Sequence, residues 1–138
     1  MKIGVLGLGY WGPNLVRNFL AQRDVKHVIG CDQRDERLKF IKDKFPSVEL
    51  TKDCSELFNG DADVIVIAKP VDSHFNFAKK ALESGKHIWV EKPFTSNSRQ
   101  AEELIELAEK KNLKILDYLI TIKIVNYKIL ILNNLKNY

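Results

Sequence analysis

Cysteine is scarce: Cys31 and Cys54 are the only two in 138 residues. Two thiols make no disulfide framework and suit a reducing compartment, so a cytoplasmic setting is expected. Long apolar runs are missing too. None approaches the roughly 18 residues that a membrane-spanning helix needs. The opening Met1-Lys2-Ile3-Gly4-Val5-Leu6-Gly7 is too short and too glycine-rich for a signal peptide. Charge of one sign does not dominate, with 22 basic against 18 acidic residues and a net +4. No basic stripe with interleaved aromatics emerges, which argues against a nucleic-acid footprint. Histidine occurs three times, and no His/Cys/carboxylate spacing suggests a metal site. What remains is ordinary globular composition, 45% hydrophobic and 29% charged, with room for one domain around a single core.

Apolar runs alternate with helical patterns along most of the chain. Strands are expected at Lys2–Leu6, His27–Cys31, Val48–Leu50, Asp63–Ala68, His87–Val90 and from Leu113 to Leu116. Asp63–Ala68 is apolar on both faces, as buried parallel strands are. Helices are expected at Tyr10–Arg23, Asp35–Phe45, Cys54–Phe58, Ser73–Ser84 and Ser98–Asn112. Pro13 is tolerated in the first turn of its helix and Pro46 stops the second. Ala101, Leu104, Ile105 and Ala108 recur at helical spacing and mark one buried face. Strands alternating with helices predict an α/β fold, a doubly wound parallel sheet in three layers forming a single domain over residues 1–116.

Gly7-Leu8-Gly9-Tyr10-Trp11-Gly12 is a GxGxxG motif lying directly after the first strand and opening the first helix. Gly7 permits a tight turn, Gly9 lets a pyrophosphate approach the backbone, and Gly12 lets helix and strand pack closely. The N–H groups of Tyr10 and Trp11 and the positive helix end are then offered to phosphates. Asp32 follows Gly12 by 20 residues, at the end of the second strand, where a carboxylate accepts hydrogen bonds from adenosine ribose hydroxyls. Its charge opposes a 2′-phosphate and favours NAD over NADP. Arg34 is the counterweight, either a receiver for that phosphate or a solvated residue before a helix.

The fourth strand ends in Ala68-Lys69-Pro70-Val71-Asp72-Ser73-His74, and the fifth in Glu91-Lys92-Pro93. Loops at these carboxyl ends line the ligand crevice of an open parallel sheet. Ala68 and Pro70 are expected beside the cofactor, with Asp72 or Ser73 capping the next helix. His74 is either a cofactor contact or a packing residue. Lys92 is either half of a surface ion pair or a group that hydrogen-bonds a substrate hydroxyl or the nicotinamide ribose, its charge stabilising an alkoxide during hydride loss, with Glu91 orienting it.

Together the glycine motif, Asp32, Pro70 with His74, and Gly85-Lys86-His87-Ile88-Trp89-Val90-Glu91-Lys92-Pro93 resemble the Gfo/Idh/MocA oxidoreductase family over residues 1–116. The resemblance implies a Rossmann domain binding NAD or NADP. It also implies that Lys92 helps place cofactor and substrate, and that Glu91 and His74 belong to the cofactor site. Lys69 departs from the small or hydroxyl residue common before this proline. Gly9-Tyr10-Trp11-Gly12-Pro13-Asn14 is similar to members acting on sugar nucleotides. Family members carry a second domain that bears a catalytic histidine and most substrate contacts, and a homo-oligomer is compatible with the family.

Residues 117–138 are different. Isoleucine, leucine, asparagine, lysine and tyrosine make up 19 of these 22 residues, while alanine, glycine, proline, arginine and glutamate are absent. The segment reads either as a shifted reading frame or truncation in an A/T-rich gene, or as an ordinary strand or short helix covering the sheet. The expected function is the nucleotide-binding part of a sugar or sugar-nucleotide oxidoreductase, inactive alone. A non-catalytic dinucleotide-responsive module and a decayed gene product are the other readings.

Overall fold

The computed structural model describes residues 1–117. Six strands are β1 (Lys2–Leu6), β2 (His27–Cys31), β3 (Glu49–Thr51), β4 (Val64–Ile67), β5 (His87–Val90) and β6 (Ile115–Asp117). Five helices alternate with them: α1 (Gly12–Leu20), α2 (Asp35–Lys44), α3 (Ser55–Asn59), α4 (His74–Glu83) and α5 (Ser98–Lys110). All strand pairs are parallel, in the order β3-β2-β1-β4-β5-β6. The chain winds outward from β1 to β3, then returns to the other side of β1 at β4. The switch point lies between β1 and β4, where such sheets open a crevice.

The alternation of side chains divides the core. Ile3 and Val5 of β1 pack with Leu15, Val16 and Phe19 of α1 and Ile41 of α2. Leu6 packs on the opposite face with Ala78 and Leu82 of α4 and Leu104 of α5. The single core expected from length is therefore two clusters, because a sheet covered on both faces stands between them. Ile65 and Ile67 of β4 serve one cluster and Val66 the other, which explains its unbroken apolar run.

The departures at element ends have local causes. α1 stops at Leu20, short of Arg23, because the Gln22 N–H turns back to Phe19 O at 3.0 Å and the Lys26 N–H reaches Met1 O at 2.8 Å. Neither Asp72 nor Ser73 caps α4 with its side chain. A 3₁₀ turn at Val71–Ser73 precedes that helix, so the Val71 carbonyl serves the first helical N–H while Ser73 Oγ donates to Pro70 O at 2.7 Å. α5 is capped by Asn97, whose Oδ1 accepts the Gln100 N–H at 3.0 Å. Leu104 and Ala108 are buried on its inner face, but Ile105 is exposed, since α5 packs on α4 along one side. Asp117, assigned to the tail by composition, pairs with Val90 as the last residue of β6. The rest of the tail lies outside the described residues.

Candidate functional site

At the carboxyl ends of β1 and β4 the glycine loop threads a narrow gap. Gly7 has φ +104°, a left-handed conformation that favours glycine, and a Cβ there would stand 2.4 Å from Ala68 O. Its N–H donates to Cys31 O at 2.8 Å, so the turn is held between β2 and β4. A Cβ on Gly12 would lie 2.7 Å from Gly7 O, which seats α1 directly against the loop. Gly9 differs from both. A Cβ at Gly9 would meet only Arg34 Nη2, at 3.7 Å, so its backbone faces open space. Pro13 occupies the first turn, where the missing N–H would have had no partner within the helix.

Asp32 stands one residue past β2 and is 2% exposed. Its Oδ2 accepts the Leu8 N–H at 2.9 Å and Arg34 Nη2 at 3.0 Å. Its Oδ1 accepts the Arg34 N–H at 3.1 Å and Arg34 Nε at 3.0 Å. Burial pushes this carboxyl up. The Arg34 guanidinium and the Leu8 and Arg34 N–H groups outweigh burial and hold it well below the usual carboxylate range. A buried carboxylate is thus kept ionised beside the glycine loop.

These groups share one cavity of about 540 Å³. Gly7, Gly9, Tyr10 and Trp11 form one wall, and Asp32 with Arg34 forms the second. Ala68, Lys69 and Pro70 from the end of β4, with Glu91 and Lys92 from the end of β5, close the third. Tyr10 and Trp11 are exposed at the rim, edge to face with ring centroids 5.3 Å apart. Glu91 is 7% exposed, while Lys92 reaches solvent.

Two expected site residues stand off these walls. Gly12 is packed under the loop. His74 is 1% exposed, and its ring lies between two backbone carbonyls, Nδ1 2.9 Å from Pro93 O and Nε2 2.6 Å from Lys69 O. It lies between the β4 loop and the β5 loop rather than facing the cavity, because both ring nitrogens stand against backbone carbonyls, and whichever of them carries the N–H donates to one. Among the described residues, no group of three His, Cys, Asp or Glu side chains is placed to hold a metal ion. No helix among them is long and apolar enough to cross a membrane.

A family model described as "Oxidoreductase family, NAD-binding Rossmann fold" matches residues 1–118. The chain belongs to this Gfo/Idh/MocA family. Its relatives include an uncharacterized oxidoreductase, YhhX, of Escherichia coli, 37% identical over 100 residues that are 72% of this chain and 29% of that protein. A UDP-N-acetylglucosamine 3-dehydrogenase of Acidithiobacillus ferrooxidans is 29% identical over 118 residues, 82% of this chain and 35% of that one. Among solved structures, KijD10, a 3-ketoreductase from Actinomadura kijaniata in complex with NADP and TDP-benzene, superposes with TM-score 0.78 at 24% identity. The match covers 85% of this chain and 36% of that one. The chain thus spans about a third of the length of the relatives it matches.

Within this Gfo/Idh/MocA domain, three features escaped sequence reasoning. Lys69 lines the cavity, and its Cδ would sit 3.4 Å from a Cβ on Gly7. Its position at the carboxyl end of a central strand was the available signal. The bridging role of His74 had none, because Pro93 lies 19 residues away. The saturation of Asp32 by Arg34 depends on a side-chain conformation that spacing does not encode. The Lys92–Pro93 peptide is cis.

Proposed function

We propose that this chain is the nucleotide-binding part of an NAD(P)-dependent oxidoreductase acting on a sugar or sugar nucleotide, with NAD preferred. The observation that supports it best is the joining of the open Gly9 face, the ionised Asp32 and the exposed Lys92 around one cavity. The donors suit a dinucleotide. The Gly9 backbone leaves room for a pyrophosphate against the N-terminus of α1, where the Tyr10 and Trp11 N–H groups and the helix dipole favour negative charge. Asp32 would hold the adenosine ribose, with Arg34 beside it as the group that tolerates NADP. Ala68 and Pro70 would border the nicotinamide half, their loop fixed by His74. When bound, the nicotinamide supplies the acceptor for a hydride from a secondary alcohol. Lys92 would hydrogen-bond the reacting hydroxyl and lower the energy of the developing alkoxide by its charge, with Glu91 behind it. The sugar-nucleotide class is supported by the 3-dehydrogenase relative and by the aromatic pair Tyr10–Trp11 at the rim.

The test is a fluorescence titration with NADH and NADPH, following energy transfer from Trp11 on the cavity wall. Saturable quenching, tighter for NADH, is the expected result. A folded chain that binds neither cofactor overturns the reading. Alone, the chain is expected to bind cofactor without oxidising sugars. Turnover above background with UDP-N-acetylglucosamine and NAD would refute that second part.

A further inference from the structure

We infer that the Arg34 guanidinium occupies the position of the adenosine ribose, and that it sets cofactor choice by competing with the ribose diol for Asp32. The inference rests on the dinucleotide reading above and concerns how that site discriminates.

A carboxylate offers about four acceptor positions on its two oxygens. At Asp32 all four are taken: one by the Leu8 N–H, one by the Arg34 N–H, and two by Arg34 Nε and Nη2. The first two donors belong to backbone held in place by the glycine loop and the start of α2. The last two belong to a side chain that is half exposed and able to swing away. A vicinal diol presents two O–H donors to the same two oxygens, so diol and guanidinium exclude one another. The same Nη2 is the nearest atom to the open face of Gly9, 3.7 Å from where a Cβ would stand. The guanidinium therefore lies across the approach to the loop as well as on the carboxylate.

The two cofactors meet this arrangement differently. The diol of NAD must displace a bidentate ion pair before it gains its own hydrogen bonds, so Arg34 weakens NAD. A 2′-phosphate instead meets a carboxylate whose charge is already matched, and a bidentate cation that suits its oxygens. Arg34 thus narrows the preference that Asp32 alone would impose.

The experiment titrates the full chain and its Arg34→Ala and Arg34→Lys variants with NADH and NADPH at one fixed ionic strength. Arg34 is exposed enough that both variants should fold, which thermal melting would verify. Arg34→Ala is expected to bind NADH about two- to fivefold tighter, the size of a half-exposed ion pair removed, and NADPH about tenfold weaker. Arg34→Lys keeps a cation without the planar pair of donors. It should retain most of the NADH gain with a smaller NADPH loss. NADH binding that is unchanged or weaker in Arg34→Ala, while the wild type binds normally, overturns this inference and leaves the dinucleotide reading intact. Binding of NADH by the variant alone would support it. Failure of all three folded chains to bind either cofactor overturns the reading and the inference together.

Discussion

The two ends of this sheet are built from similar residues and treat them in opposite ways. At the amino ends of the strands, a second cavity of about 400 Å³ is lined by Asp24, Asp61 and Asp63 with Lys86 and His87. Its charges face water: Lys2 pairs with Asp61, and the Lys86 ammonium donates to Gly60 O at 2.6 Å, both at exposed positions. At the carboxyl ends, Asp32, His74 and Glu91 are buried, and among the described residues they are the buried polar and charged side chains of the domain. Burial of such groups is unfavourable unless every partner is in place. A fold that accepts it at one edge only has concentrated its exact geometry there, which is where open parallel sheets bind ligands.

Glycine makes the sharpest version of this contrast. Gly7 and Gly85 both have positive φ, +104° and +75°. Around Gly7 a methyl group would strike the Ala68 carbonyl at 2.4 Å, whereas around Gly85 nothing lies within 4 Å. Gly7→Ala is expected to lose about 4 kcal/mol or more, through backbone strain joined to a clash with neighbouring backbone. Gly85→Ala should lose about 1 kcal/mol from strain alone. Urea denaturation of the two variants measures the gap. Equal losses would mean that the loop relaxes away from β4 and that the tight seat of Gly7 is not real.

Asp32 sharpens the comparison next. Asp32→Asn removes the charge that four donors converge on and should cost about 2 kcal/mol of stability. On the proposed role of Asp32 as acceptor for the adenosine ribose, NADH affinity should fall by at least about tenfold. The pH dependence has a definite sign. The carboxyl is held below its ordinary 3.8 in the folded chain, so its contribution is complete above that value and fades as the solution is acidified further. Unfolding free energy followed from pH 5 to pH 2 should fall less steeply in Asp32→Asn than in the wild type. Parallel curves would show that Asp32 gains nothing from its partners.

The buried thiol offers a smaller test. Burial pushes Cys31 up to about 12, while Cys54 is only partly covered. A thiol reagent at pH 8 should modify Cys54 alone, with Cys31 following at the rate of global unfolding. Rapid modification of both would show that the end of β2, and with it the turn at Gly7, opens readily.

Much of this was legible in the residues. The GxGxxG spacing foretold a turn, an open backbone and a close helix contact, and Gly7, Gly9 and Gly12 take those geometries. Continuous apolar runs identified β4, and β1, β2 and β5 begin and end where their patterns do. Helix ends were less legible, since the stop at Leu20 depends on where Lys26 must pair with Met1, a contact between distant residues. The cavity walls were visible as strand ends. Most of the side chains that line them were visible too, Arg34 among them, but the hydrogen bonds that fix Arg34 on Asp32 and turn His74 away were not, because no local pattern names those partners. Spacing reports where the backbone goes, and side-chain hydrogen bonds then decide which residue reaches the ligand.

The weakest expected effect lies at the amino end and follows the same pH logic as Asp32, in a higher range. His87 Nδ1 accepts the Lys114 N–H at 3.0 Å, joining β5 to the residue before β6. Burial holds this imidazole below its ordinary 6.5, and the Lys114 charge adds to that, against an opposing pull from Asp63. A protonated ring has no lone pair at Nδ1 and cannot accept that N–H. The stabilising contribution is therefore complete above about pH 6.5 and is lost as pH falls through the lower folded value. His87→Gln keeps an acceptor and removes the titration. Its stability curve should be flat between pH 7 and pH 5, where the wild type declines by a fraction of a kcal/mol, about the value of one partly exposed hydrogen bond. NADH binding should be the same in both at pH 7, because His87 lies at the opposite end of the sheet from the proposed cofactor cavity. A loss of NADH affinity in His87→Gln, with stability preserved, would mean that the two edges are coupled through β5 and that their separation is incomplete.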